Sequence, residues 1–192
     1  VALVGAAFSG LLAGTITNTC TAVTFNRPGV GACLPGTLAA MRAGPDGSIY
    51  FVGGNRAFRL HPNGYLELVA GTGVAGTTGD GGPATSATLR ASSIAVGPDG
   101  AVYLGEPDKI RRVDPNGRID RVLGAGAGGA SNAGNDGFAK SARAGSVNAL
   151  AFAPDGSLYF SDCTNLEFCF VRKVEPGGIV RRVAGRTSGG ID

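Results

Sequence analysis

Apolar residues in this chain come in short runs separated by turn residues, not at helical spacing. Ser48-Ile49-Tyr50-Phe51, Ala101-Val102-Tyr103-Leu104 and Ser157-Leu158-Tyr159-Phe160 each follow a Pro-Asp-Gly tripeptide, with tyrosine at the same offset every time. Runs of this length bounded by glycine, proline and aspartate read as strands. The tripeptides, Pro45-Asp46-Gly47, Pro98-Asp99-Gly100 and Pro154-Asp155-Gly156, stand 53 and 56 residues apart. A second turn, Pro62-Asn63-Gly64 or Pro115-Asn116-Gly117, comes 17 residues after the first two. Its counterpart in the third unit, Pro176-Gly177-Gly178, comes after 22, so that unit carries a five-residue insertion in the region of Cys163 and Cys169. Beyond each second turn a valine opens a short run into glycine: Val69-Ala70-Gly71, Val122-Leu123-Gly124 and Val183-Ala184-Gly185.

Each unit therefore predicts four strands. The first precedes Pro-Asp-Gly (40–43, 94–97, 150–153) and the second is the tyrosine tetrad. The third covers 57–60, 110–113 or 171–174, and the fourth 65–70, 118–123 or 179–184. Proline presets φ, Asp or Asn tolerates the turn, and glycine adopts positive φ without penalty, so both turn types suit hairpins. Four-stranded antiparallel units recurring about every 50 residues are the pattern of propeller blades. The expected fold class is all-β: a β-propeller of four-stranded antiparallel blades, about three of them, hence a partial ring. The expected divisions are an N-terminal β segment or degenerate blade (1–35), blade 1 with its linker (36–87), blade 2 with its linker (88–142) and blade 3 (143–192). Thr15 to Phe25 is rich in β-branched residues and reads as a strand, either the end of an upstream domain or part of a degenerate blade.

Composition narrows this picture. Glycine supplies 34 of 192 residues, roughly 18% against a usual 7%, which suits a chain made mostly of tight turns. Charge is sparse and the apolar fraction ordinary, so the chain can bury a core and disorder is a poor reading. A net charge of +3 gives no argument for nucleic acid. The four cysteines, Cys20, Cys33, Cys163 and Cys169, fall as two close pairs, the pattern of two local disulfides in an oxidising compartment. Four buried free thiols is the alternative. Zinc fits poorly, because neither pair has CxxC spacing and His61 lies far from both. Val1 to Gly14 is apolar but lacks a basic leader and is too short to span a bilayer as a helix, so membrane insertion is not expected. It reads as strand-forming sequence at the cut edge of something longer.

The run GDGGPATSATL…IAVGPDGAVYLGEPDKIRRVDPNGRIDRVLG resembles an NHL repeat, including the long glycine-rich linker before the blade. The long-linker form is similar to the NHL propellers of teneurins and of bacterial YD/Rhs-repeat proteins, where the propeller adjoins a large β-shell. The resemblance covers residues 36–192 and departs from the pattern at Asp162 to Cys169. It implies a non-catalytic module for protein interaction or scaffolding within a larger extracellular or cell-surface protein.

Candidate chemistry is thin. Asp46, Asp99 and Asp155 could be imagined as metal ligands and Gly79-Asp80-Gly81 as a calcium loop, but calcium needs six to eight oxygens and the turn reading accounts for every one of these residues. A stripe of basic residues, Arg111, Arg112, Arg172, Lys173, Arg181 and Arg182, is the candidate interaction patch for a protein or an acidic glycan. Many of its members alternate with apolar residues, as the solvent face of a half-buried strand does. No aromatic residues interleave for base stacking, so nucleic acid is not the expected partner. Lactonases and lyases with six-bladed propellers hold a metal over the central channel. The first strands here offer Met41, Ala43, Ile94, Val96, Leu150 and Phe152, which is packing material, so no catalytic residue, metal or cofactor is expected.

Ring closure sets the remaining expectation. Propellers close with about four to eight blades, and three leave exposed edges that invite pairing. The ring must be completed by remaining blades of the same parent chain, by a second copy, or by an adjoining domain. The sequence ends inside what reads as another linker, which favours a longer parent. Two alternatives stand beside the scaffold reading: part of a six-bladed hydrolase or lyase whose metal site lies in other blades, and a structural protein that self-assembles through open blade edges.

Overall fold

The Pro-Asp-Gly turns are built alike. In each, the aspartate Oδ1 accepts the backbone N–H two residues on: Asp46 from Ser48 at 3.1 Å, Asp99 from Ala101 at 3.1 Å, and Asp155 from Ser157 at 2.9 Å. Gly47, Gly100 and Gly156 follow with φ of 77°, 77° and 81°, a left-handed conformation costly for any residue with a Cβ. Such a turn returns the chain antiparallel to itself.

The computed structural model describes residues 25–29, 32–34, 37–125, 133–163 and 169–185. Blade 1 contains β2 (Leu38–Ala43), β3 (Ile49–Gly53), β4 (Arg56–Leu60) and β5 (Tyr65–Ala70), with the two-residue β1 (Arg27–Pro28) at its outer edge. Blade 2 contains β6 (Ser93–Val96), β7 (Val102–Glu106), β8 (Lys109–Val113) and β9 (Ile119–Leu123). Blade 3 contains β10 (Leu150–Phe152), β11 (Leu158–Cys163), β12 (Cys169–Val174) and β13 (Val180–Ala184). The four strands of each blade form a meander of sequential antiparallel pairs, to which blade 1 adds β1 alongside β5. The fold is all-β, a propeller-type stack of three blades that forms no closed ring among the described residues. No helix among those residues is long and apolar enough to cross a membrane.

Alternate side chains of a strand face opposite sides of the sheet, so each blade has two faces. Ile94, Val102, Leu104, Val113 and Ile119 of blade 2 pack on Tyr50, Val52, Ala57 and Ala70 of blade 1. One blade further on, Leu150, Leu158, Phe160, Val174 and Val180 occupy the same repeat positions and pack on Ala95, Ile110, Leu123 and Tyr103. The first strands lie against one another, β2 with β6 and β6 with β10, which places them innermost.

The glycine-rich linkers are straps. The first lies along the last strand of blade 2: Gly81 N–H donates to Ile119 O at 2.8 Å, Ile119 N–H to Gly82 O at 3.0 Å, and Ala84 N–H to Gly117 O at 2.8 Å. The second repeats this on blade 3, with Asp136 N–H to Val180 O at 2.7 Å and Ala139 N–H to Gly178 O at 2.8 Å. Blade 1 carries the same strap, because Asn26 N–H donates to Leu66 O and Gly29 N–H to Gly64 O, both at 2.6 Å. Asn26, Gly81 and Asp136 hold the same strap position and all have positive φ. The described part of the 1–35 segment therefore joins the outer edge of blade 1. The apolar stretch over 1–14 and the strand expected over 15–25 lie outside the described residues, apart from Phe25.

Candidate docking surfaces

One polar cluster recurs at the Pro-Asp-Gly end of the blades. Arg59 Nη2 meets Asp46 Oδ2 at 2.5 Å, and its guanidinium lies 5.6 Å from the centre of the Tyr50 ring. Arg112 meets Asp99 at 2.6 Å, donates to the Tyr103 hydroxyl at 3.2 Å and lies 6.0 Å from that ring. Burial alone would raise the Asp46 carboxyl, but hydrogen bonds from Ser48 and Arg59 outweigh it and hold the pKa at about 2. Asp99 is lowered in the same way, burial being overcome by Arg112 and the Ala101 amide. Burial also raises the Tyr50 and Tyr103 hydroxyls. In blades 1 and 2 the tyrosine offset thus has a cause: the ring lies beside the ion pair that locks turn to strand. In blade 3 the basic residue is Lys173, which meets Glu175 at 3.1 Å.

The basic stripe read from the sequence does not assemble on the surface. Arg111 and Arg172 are wholly buried, because the linker straps fold over the strand faces that carry them. Arg111 donates to Asp80 Oδ1 at 2.7 Å, Thr88 O at 2.9 Å and Thr78 O at 3.0 Å. Arg172 donates to Asp162 Oδ2 at 2.8 Å, Asn135 Oδ1 at 3.0 Å and Arg143 O at 2.6 Å. Arg112 and Lys173 belong to the ion pairs above, and Arg181 meets Asp136 at 2.5 Å and Glu175 at 3.1 Å. Arg182 is exposed.

These buried clasps escaped the sequence reading, although the repeat alignment carries their signal. Position by position, Arg111 and Arg172 correspond to Phe58, the strap residues Asp80 and Asn135 to Phe25, and the strand-end carboxylates Glu106 and Asp162 to Gly53. Blade 1 closes the same joint with aromatic rings, Phe25 and Phe58 lying 6.4 Å apart. Burial pushes the Glu106 carboxyl up against the pull of the Arg90 amide and Arg111. Its Oε1 accepts from Arg90 N–H at 3.0 Å, while Oε2 has no hydrogen-bond partner among the described residues.

Cys163 and Cys169 sit opposite each other at the end of the β11–β12 hairpin and form a disulfide, with Cα atoms 4.1 Å apart. Cys33 is also disulfide-bonded, and Cys20 lies outside the described residues. His61 lies 2.7 Å from Glu67 in the second turn of blade 1. No group of three or more His, Cys, Asp or Glu able to hold a metal occurs among the described residues.

Two kinds of surface remain. The outward face of blade 1 is a shallow cavity of about 460 Å³ lined by Leu34, Leu38, Met41, Ile49, Phe51, Leu60 and Leu66. Five of these, Met41, Ile49, Phe51, Leu60 and Leu66, are the repeat equivalents of the residues by which blades 2 and 3 seat on a preceding blade. Met41 is 52% exposed, whereas Ile94 and Leu150 at the same position are 0% and 1% exposed. At the other end, Val171 of blade 3 is exposed where Ala57 and Ile110 are fully buried. The second kind is a groove between neighbouring blades at the turn end, about 370 Å³ between blades 1 and 2 and about 670 Å³ between blades 2 and 3.

Comparison with known proteins finds similarity to teneurins. Teneurin-4 of Homo sapiens is 31% identical over an alignment of 151 residues that covers 68% of this chain and 6% of Teneurin-4. Teneurin-3 of Danio rerio is 30% identical over 152 residues, with the same coverage of 68% and 6%. The chain thus spans a small part of the length of these relatives. No protein-family model matches it. Among solved structures, a protein of unknown function from Bacteroides thetaiotaomicron superposes with a TM-score of 0.57 at 18% identity, covering 78% of this chain and 36% of that one. An auxiliary nutrient binding protein from Bacteroides ovatus gives 0.53 at 21% identity, covering 81% and 38%. A protein assigned as a gluconolactonase gives 0.50 at 16% identity, covering 76% and 47%. At these identities the superpositions establish the fold alone.

Proposed function

We propose that this chain is a non-catalytic NHL-type propeller segment of a larger extracellular, teneurin-like protein, serving as a rigid platform for protein docking or scaffolding. The observation that carries the reading is the open apolar face of blade 1. It leaves Met41 exposed and Ile49 and Leu60 half-buried at positions that elsewhere in the chain bury against a neighbouring blade, so its partner is another blade of the same repeat. An apolar patch of that shape on a free surface marks an interaction site. The units 36–87, 88–142 and 143–192 are then three consecutive blades, and the described residues before 35 are the strap of the first. Similarity to teneurins and the disulfide at the end of blade 3 support placement outside the cell, where disulfides persist. The side chains fixed at the turn ends are occupied by caps and ion pairs, which supports a platform over a catalyst.

A cysteine placed at Met41 tests this reading. In the 192-residue chain a Met41→Cys thiol should react freely with a maleimide. In the parent polypeptide, with its neighbouring blades present, the same thiol should be shielded. Equal reactivity in both would overturn the docking of a blade on this face. A divalent metal retained stoichiometrically by the parent protein would overturn the non-catalytic part.

A further inference from the structure

The two inter-blade grooves have the same architecture and different chemistry. Both run between the last strand of one blade and the strap lying on the next. In the first groove the strap contributes Pro83 and Thr85; in the second the same positions are Phe138 and Lys140. The last strand contributes Leu68 to the first groove and Arg121 to the second. Phe138 is 68% exposed, although its backbone, with φ of −65° and ψ of 136°, nearly matches that of Pro83 at −62° and 130°. Its ring is therefore not needed to shape the strap, and the fold gains little burial from it.

Neither Arg121 nor Lys140 has an ion-pair partner among the described residues, while Arg112, at the edge of the same groove, is already paired with Asp99. Asp120 is the groove's own carboxylate, and it lies 3.3 Å from Arg118. The remaining floor, Val122 and Val174, is apolar. An exposed aromatic over an aliphatic floor, with two cations beside it that pair with no described residue, matches a ligand that brings an apolar side chain and a carboxylate together.

We propose that the groove between blades 2 and 3 binds an acidic, apolar peptide segment, with an aliphatic or aromatic side chain seated between Phe138 and Val122 and carboxylates facing Lys140 and Arg121. The aliphatic floor favours a peptide over an acidic glycan, whose rings would place hydroxyls against Val122 and Val174. The inference rests on the docking-platform reading and names a partner class for it.

Fluorescence anisotropy with a labelled peptide of alternating glutamate and leucine tests it on the full 192-residue chain. The matching glutamine–leucine peptide and a heparin fragment serve as competing probes. The double variant Phe138→Pro, Lys140→Thr installs the residues of the sister strap. The Phe138 backbone already suits proline, and its N–H donates no backbone hydrogen bond in the strap. Binding should weaken by roughly tenfold or more in that variant, as loss of a central aromatic contact implies. The reverse transfer, Pro83→Phe and Thr85→Lys together with Leu68→Arg, should create a second site in the first groove. Undiminished binding by the double variant, equal binding of the glutamine peptide, or preference for heparin would each overturn the proposal. Any of these with Met41→Cys still shielded in the parent would overturn the groove and leave the platform reading standing.

Discussion

Arg111 and Phe58 stand at the same place in consecutive blades and close the same joint with opposite chemistry. A buried arginine is tolerable only while its partners answer it. Arg111→Phe alone would strand Glu106 and crowd Asp80, and removing one partner of a buried ion pair costs about 3–5 kcal/mol. Converting the whole joint to the blade 1 set, Asp80→Phe, Glu106→Gly and Arg111→Phe together, should recover most of that loss. Urea unfolding of the single and triple variants measures the difference, and a single variant as stable as the parent would remove the clasp from the account. At the turns, Asp46 titrates near 2 in the fold against an ordinary 3.8. A depressed carboxyl adds stability that is complete above the ordinary value and lost as pH falls through the folded one. Asp46→Asn should therefore be less stable than the parent at pH 5, with the gap closing between about pH 4 and 2. A gap that stays constant on acidification would show that neither the Ser48 hydrogen bonds nor Arg59 favours the ionised carboxylate in the fold. The turn aspartates were legible because their chemistry is local. The clasp was not, because Asp80 and Arg111 lie 31 residues apart and meet only when the strap folds back.

At the scale of elements, the strands and hairpins followed from turn spacing, since a hairpin's ends are fixed by the residues between them. The straps did not. A glycine-rich stretch gives no periodicity, and its pairing with β5, β9 and β13 comes from backbone atoms that every sequence shares. The same reasoning explains why residues 26–29 looked foreign to the repeat, although Asn26 repeats the left-handed position of Gly81 and Asp136. The β11–β12 hairpin is where the third blade departs from its sisters, and its disulfide spans six residues in sequence. By chain entropy a loop of that size is worth about 2 kcal/mol. Cys163→Ser with Cys169→Ser should lower stability by about that amount. It should also raise hydrogen exchange in β11 and β12 while leaving β3 and β4 unchanged. Loss of protection spread evenly over the three blades would mean that they unfold as one unit and the disulfide is not a local device.

For the whole molecule the question is which faces are covered. The repeat makes this measurable, because Met41 and Ile94 are one position in two environments. Ile94 is fully buried between blades 1 and 2, and an Ile→Ala change in such a setting costs about 2–5 kcal/mol through lost burial and the cavity left behind. Met41 is half exposed on the open face, so Met41→Ala in the same chain should cost less than about 1 kcal/mol. That contrast holds only while the face is free. If a second copy seats its blade 3 on blade 1, the cost of Met41→Ala should grow with protein concentration, because assembly adds to apparent stability by mass action. If instead the face is covered by a blade of a longer polypeptide, the cost should be small and concentration-independent in this chain and rise toward that of Ile94→Ala in the parent. A large cost at every dilution of this chain alone would mean that the face is already buried, and the open arc would have to be abandoned.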